Sequence, residues 1–382
     1  MKVLYISESY ATSKVHHNLC QNVARLGCQM QVFSIQRKGF LTDLKASFGQ
    51  KDYEWTIDTF DGNNFLYKYA FAYKQRYKLR KLVQQTDMSG VGVVHATTLF
   101  SDGALALKLK RERAIPYIVS VRGTDTDIYA RMMVHLWPKG REILRNAERI
   151  VFISDTLRQT LFSRPAFRSL KEELMSRTEI IPNGIDDVWL ENLQSQRRPL
   201  DPAHPRIVYI GRLDTNKNVL ALMDAIDQLA NRHPGAHLSI IGGGGQQEPA
   251  IRQRCNNHPE RYQMLGKIYD KNQLRSLLRQ QDVFALVSHS ETFGLVYLEA
   301  LSQALPILYS QGRGIDGVFD EPVGEPVDPA HADSIAEGLE KIISHPEHYA
   351  ILGQRLKRFA WQELAKRYVH LYQQAMSHDQ TT

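Results

Sequence analysis

Short apolar runs rich in Val and Ile alternate with helical segments along most of the chain. In the first half, KVLYIS (2–7), QMQVFSI (29–35), VGVVHA (91–96), YIVSVRG (117–123), RIVFIS (149–154) and TEIIPNG (178–184) read as strands. They are continuously apolar rather than alternating, so a parallel sheet covered on both faces is expected. QSQRRPLDPAHP (194–205) then mixes charge with three prolines and reads as an interdomain linker. The strand pattern restarts with RIVYIG (206–211), HLSIIG (237–242), YQMLG (262–266), VFALVS (283–288) and PILYS (306–310). The expected class is α/β: two Rossmann-like parallel-sheet domains, 1–193 and 206–361, facing an interdomain cleft. FAWQELAKRYVHLYQQA (359–375) has helical periodicity in Phe359, Leu364, Tyr368, Leu371 and Tyr372. With Pro346 closing the preceding helix, two terminal helices are expected. The last, about 362–382, bridges the domains and joins the first.

Composition narrows the partners. A length of 382 residues with 43% hydrophobic content supports two globular domains. The net charge of +7 favours anionic partners such as nucleotides, lipid headgroups or nucleic acid, or is simply a solvated surface. Cys20, Cys28 and Cys255 are odd in number and unclustered, which argues against a disulfide framework or zinc site and for packing roles in a reducing compartment. No run of about eighteen apolar residues occurs, and MKVLYISESY enters a strand-like run without a secretory leader. The expected location is cytoplasmic.

The distinctive polar motifs all fall at expected strand ends, where ligands bind in open parallel sheets. GRLDTNKN (211–218) offers Gly211, Arg212 and Lys217, two cations able to converge on a diphosphate, or else an ordinary solvated turn. IIGGGGQQEP (240–249) is a weak match to a dinucleotide loop and fits a tight strand-to-helix turn, with a glycine such as Gly243 bordering a ligand. In SHSETFGLVYLEAL (288–301), Glu291 and Glu299 would lie about 80° apart and roughly 12 Å along one continuous helix, too far to share a proton. A turn at Gly294 makes better sense, with the amides of Thr292, Phe293, Gly294 and Leu295 forming a helix N-terminus that favours phosphate or hydroxyl oxygens. Glu291 then accepts from sugar hydroxyls. Glu299, deeper in the helix, accepts from a ribose diol or pairs with an arginine.

SETFGLVYLEAL preceded by GRLDTNKN resembles the retaining glycosyltransferases of family 4, in which two glutamates separated by seven residues flank an internal Phe-Gly. IIPNGID (180–186), VVHATTLFSDGALAL (93–107) and FAWQELAKRYVHLY extend the resemblance over nearly the whole chain. It implies the GT-B fold and transfer of a sugar from a nucleotide-diphosphate donor, UDP or GDP, to a saccharide or lipid-linked acceptor. Neither a metal nor a further cofactor is implied, and cell-surface polysaccharide or glycoconjugate synthesis is the expected setting. Carried onto this chain, Arg212, Lys217 and Glu291 would be catalytic: the two cations hold the diphosphate, and Glu291 contacts the transferred sugar. Gly211, Gly243, Ile268 of the GKI segment (266–268), Thr292, Phe293, Gly294, Leu295 and Glu299 would bind the donor.

The chain departs from that family in several places. SESYATSKVHHN (7–18) stands where a glycine pair is common, and Ala304 where a glycine usually follows the second glutamate's helix. Arg122 of RGTD (122–125) replaces a histidine. Arg122 and Asp125 are therefore assigned to the acceptor side or to a phosphate, with an ion pair from Arg122 to Asp125 or Asp127 as the alternative. Residues 67–85, YKYAFAYKQRYKLRKLVQQ, interleave six Lys or Arg with aromatic and aliphatic residues; they read as a surface helix or as contact with an anionic membrane on the inner face of the plasma membrane. A GT-B nucleotide-sugar epimerase is the alternative function. A phosphorylase dependent on pyridoxal phosphate lacks a recognisable lysine site, and nothing resembles a nucleic-acid reader.

Overall fold

The structure is a computed structural model that describes residues 1–37, 51–60 and 71–378. The chain forms two compact units, Met1–Gly184 with Trp361–Thr382 and Ile185–Ala360. The division falls at Gly184, earlier than the 194–205 segment, which belongs to the second unit. There the Gln194 amide donates to Ser302 O, and the Arg197 guanidinium caps the carbonyls of Ala304, Pro346 and Tyr349. Those bonds, not the prolines, decide where the segment belongs.

The first unit is a parallel sheet of β1 (Lys2–Ile6), β2 (Gln29–Arg37), β3 (Glu54–Phe60), β4 (Val91–Ala96), β5 (Tyr117–Val121), β6 (Arg149–Phe152) and β7 (Thr178–Ile180), in the order β3-β2-β1-β4-β5-β6-β7. Every residue of β1 and β5 is buried, as their apolar runs require. Helices α1 (Lys14–Arg25), α2 (Phe71–Gln85), α3 (Ser101–Arg113), α4 (Trp137–Asn146) and α5 (Asp155–Ser163) complete the wound strands. The Ser13 side chain starts α1 by accepting from the Val15 amide.

The second unit repeats the plan with β8 (Arg206–Gly211), β9 (His237–Gly242), β10 (Tyr262–Gly266), β11 (Val283–Leu286), β12 (Ile307–Ser310) and β13 (Gly324–Val327), in the order β10-β9-β8-β11-β12-β13. Its helices are α6 (Val219–Leu229), α7 (Glu248–Asn257), α8 (Lys271–Leu278), α9 (Leu295–Ser302) and α10 (Ala332–Ser344). In each sheet the first strand lies inside, with the second and fourth strands of that unit on either side. That reversal makes a topological switch point, between β1 and β4 in one unit and between β8 and β11 in the other.

The last helix, α11 (Trp361–His378), belongs to the first unit. Leu364, Tyr368, Leu371, Tyr372 and Ala375 recur at helical spacing and join one core with Val3, Tyr5, Leu19, Val23 and Val32. Each buried leucine contributes about 1.5–3 kcal/mol. A polar thread runs through that core: His95 bonds Tyr372 Oη at 2.8 Å and Ser120 Oγ at 2.9 Å, while His16 bonds Tyr5 Oη at 2.7 Å. All three cysteines are reduced and buried. Among the described residues no helix is long and apolar enough to cross a membrane.

Candidate functional site

In the second unit, three strand-end loops are tied to one another beside the switch point. The loop after β8 carries Arg212 and Lys217. Asp214 starts its short helical turn by accepting from the Lys217 amide at 3.1 Å, and the Arg212 Nε lies 3.4 Å from Asp214 Oδ2. Arg212 stays largely exposed. Gly211 gives room here, since a Cβ would sit 2.5 Å from the Tyr209 hydroxyl, which itself holds Arg212 O at 2.5 Å.

Asn216 joins this loop to the one after β11. Its side-chain amide donates to Ser290 O and accepts from Ser290 N, both at 2.9 Å, while its own carbonyl accepts from His289 N at 2.8 Å. The result brings Lys217 Nζ to 2.8 Å from Glu291 Oε2, with both side chains mostly buried. The glycine loop after β9 closes the third side: Leu213 N donates to Gly244 O at 2.8 Å, and Gln247 N to Leu213 O at 3.0 Å. Gly245 has φ +121°, and a Cβ there would stand 2.5 Å from Leu213 O. The Lys267 side chain passes the Gly243 position, 3.4 Å from where a Cβ would be, and Ile268 lies half-buried just beyond β10.

Glu291 precedes a turn, as its spacing predicts. Gly294 caps α9 at φ +76°, and a Cβ there would meet the Tyr297 ring at 2.5 Å. The amide of Thr292 is already engaged, donating to Glu291 Oε1 at 3.1 Å, so the helix N-terminus proper begins at Gly294 and Leu295. Phe293 is buried and packs against Phe359, which makes its side chain an anchor for the turn. Glu299 makes no ion pair among the described residues. Burial raises its carboxyl to about 7, and Lys271 and the Trp189 indole oppose that shift without cancelling it. No arginine pairs with Glu299 among the described residues.

In the first unit, a cavity of about 440 Å³ opens at the carboxyl ends of β1, β2, β4 and β5, with Glu8, Thr98, Arg122 and Asp125 in its wall. Asp125 is buried and accepts from the amides of Leu99 (3.0 Å), Phe100 (3.2 Å) and Arg122 (2.9 Å). It holds the loops after β4 and β5 together. Burial nevertheless raises its pKa to about 6, against the pull of those donors. The Arg122 guanidinium pairs with neither Asp125 nor Asp127 among the described residues; its Nε reaches Thr97 O at 3.4 Å and its Nη1 reaches Asn183 Oδ1 at 3.2 Å.

The basic stretch 67–85 is described from residue 71 onward, and it turns much of its charge inward. Lys78 is only 2% exposed and lies 2.9 Å from Glu8, Lys74 lies 2.5 Å from the same carboxylate, and Lys81 meets Asp58 at 3.1 Å. These lysines hold the Glu8 carboxyl far below its usual range despite burial. Arg76 and Arg80 remain on the exposed face. Asp214, Asn216, Lys267 and Glu8 were not singled out from sequence. Asn216 stands inside the quoted GRLDTNKN, but its bonds are to backbone of a distant loop. Among the described residues His345, Glu347 and His348 lie near enough to share a cation, on an exposed turn separate in sequence from these loops.

Two family models divide the chain: residues 12–189 match Glycosyltransferase Family 4, and residues 191–359 match Glycosyl transferases group 1. The chain thus carries the paired domains of the GT-B glycosyltransferases, and its two parallel sheets are that fold. It is 29% identical over 209 residues to glycogen synthase of Mycobacterium tuberculosis, covering 52% of this chain and 49% of that protein. The chain therefore spans about half the length of that relative. Over 369 residues it is 21% identical to the putative teichuronic acid biosynthesis glycosyltransferase TuaC of Bacillus subtilis, covering 89% of each. The structure of Anabaena HepE in complex with UDP and glucose superposes with a TM-score of 0.68 at 16% identity, covering 97% of this chain and 98% of the other.

Proposed function

We propose that the chain is a retaining glycosyltransferase. It moves a sugar from a nucleotide-diphosphate sugar, with UDP or GDP as the nucleotide, to a saccharide or lipid-linked acceptor in cell-surface polysaccharide or glycoconjugate synthesis. The observation that carries this reading is the Lys217–Glu291 pair, held at the switch point by Asn216. Lys217 and the exposed Arg212 face the position that phosphates take in such folds, and Glu291 stands beside them. Charge grows on the leaving phosphate as the glycosidic bond breaks. Cations already in place stabilise that charge more than they stabilise the bound donor.

In this reading Gly211, Gly243 and Ile268 let main chain approach the nucleotide, and the Gly294 and Leu295 amides meet sugar or phosphate oxygens. Thr292 and Phe293 shape that turn. Glu299 accepts from the ribose diol. HepE, whose structure holds UDP and glucose, supports a nucleotide-sugar donor, and TuaC supports a polymeric acceptor. The acceptor occupies the edge of the first unit near Arg122, and Asp125 keeps that edge in shape. Contact with an anionic membrane, on the cytoplasmic side, would rest on Arg76 and Arg80 of α2, because its paired lysines are spent.

A thermal-shift screen with UDP-, GDP- and ADP-sugars tests the donor: one class raises the melting temperature, and failure of all three contradicts the proposal. With that donor and an acceptor, proton NMR of the product reads the anomeric configuration. The donor's configuration is expected, and inversion contradicts a retaining reaction. Turnover unchanged by a chelator is expected for metal-independent transfer.

A further inference from the structure

The cations at the carboxyl edge of the first sheet differ in how they are committed. Lys74 and Lys78 are both paired with Glu8. The carboxylates nearby are engaged elsewhere: Asp125 by three amides, and Asp102 Oδ2 by the hydroxyls of Thr97 and Thr98 at 2.9 and 3.0 Å. Arg122 is not neutralised in this way. A guanidinium has five N–H donors, and Arg122 has hydrogen bonds to the Thr97 carbonyl and the Asn183 side chain, both neutral. Its field reaches well beyond those bonds, pushing the buried His16 and His95 further toward the neutral form.

The cavity it faces has the other features of a saccharide site. Ser9, Thr98, Thr124 and Gln36 bring hydrogen-bonding groups to its wall, and Ile35 and Phe60 bring apolar surface for the C–H faces of a sugar. Its volume of about 440 Å³ lies in the range that binds small molecules. A planar fork of donors with no carboxylate partner among the described residues suits a carboxylate or phosphate, which accepts two parallel hydrogen bonds.

We propose that this cavity takes an acceptor whose sugar bears an anionic group, a carboxylate or a phosphate, and that Arg122 reads that group. The proposal rests on the glycosyltransferase reading for the word acceptor; the anion site itself does not depend on it.

The test is calorimetric titration of the full chain with glucuronate, glucose 6-phosphate and neutral glucose. Lys217→Ala is used alongside the wild type to silence the phosphate position in the second unit. An anionic sugar is expected to bind both proteins alike and more tightly than glucose. Arg122→Gln should weaken it by about tenfold or more, the loss of a charge-assisted pair, while leaving glucose unchanged. Arg122→Lys should fall between them, and it carries the test if the Gln variant does not fold. Preference for glucuronate identifies a uronic acid, and preference for glucose 6-phosphate identifies a sugar phosphate. The proposal is overturned if neither anion outbinds glucose, if Arg122→Gln leaves the preference intact, or if saturating UDP displaces the anionic sugar, which would give Arg122 to the donor. Failure of every nucleotide sugar to bind, with the Arg122-dependent anion site intact, would instead remove the glycosyltransferase reading alone.

Discussion

The two sheets share one strand order and use their carboxyl edges differently. At the edge of the second, the loops are tied to each other: Asn216 grips Ser290, Leu213 is bonded on both sides to the glycine loop, and Lys217 is neutralised by Glu291. At the edge of the first, the loops surround a cavity; Asp125 and the lysines tie the frame, and Arg122 bonds only neutral groups among the described residues. A rigid edge suits a ligand that every turnover presents in the same form, such as a diphosphate. A cavity with a cation that meets no carboxylate among the described residues suits a partner that distinguishes one enzyme from another.

The contrast breaks first at Lys217. Lys217→Ala should lower the transfer rate by about 10²–10³, the usual cost of one preorganised group facing developing charge, with little change in melting temperature. An equal rate would show the second edge to be structural. Asp125→Ala should act the other way, on the frame. Three buried amide donors lose their acceptor, and stability should fall by about 3 kcal/mol in urea unfolding. A loss confined to activity would mean that Asp125 touches substrate.

Smaller effects separate the two glutamates. Glu291→Gln removes the internal counter-charge of Lys217, so a nucleotide diphosphate should bind several-fold to about tenfold more tightly while transfer is lost. Glu299 titrates near 7, with its charged form present above that pH. Affinity for a nucleotide-diphosphate sugar should therefore fall as pH drops below 7, by up to about tenfold per unit, and Glu299→Gln should abolish that dependence. A flat profile in the wild type would separate Glu299 from the ligand. The smallest effect is in the backbone: Ala304 follows α9 at φ +63°, so Ala304→Gly should stabilise the chain by roughly 1 kcal/mol.

Most of the sheet was legible because buried parallel strands are continuous apolar runs. The strands missed, β3 and β13, both lie at sheet edges. EWTIDTF carries acids on a partly exposed strand, and GEPV contains Pro326, tolerated because an edge strand need not donate on its free side. The donor loops were legible because glycines and cations at strand ends leave a chemical trace. Asn216 was not, since its partners are backbone groups 74 residues away. Neither was the burial of Lys78: a basic stripe reads as solvated until Glu8, far off in sequence, supplies its partner. For Arg122 the sequence offered nearby aspartates as partners, and Asp125 instead spends its carboxylate on main-chain amides.

The most direct test of the central claim is calorimetric titration of the nucleotide-diphosphate sugar selected by thermal shift into the wild type, Lys217→Ala and Glu299→Gln. Micromolar-range binding in the wild type should weaken by about tenfold or more in each variant, since one removes the phosphate's cation and the other the ribose acceptor. Unchanged affinity in both variants would contradict the assignment of this edge to the donor.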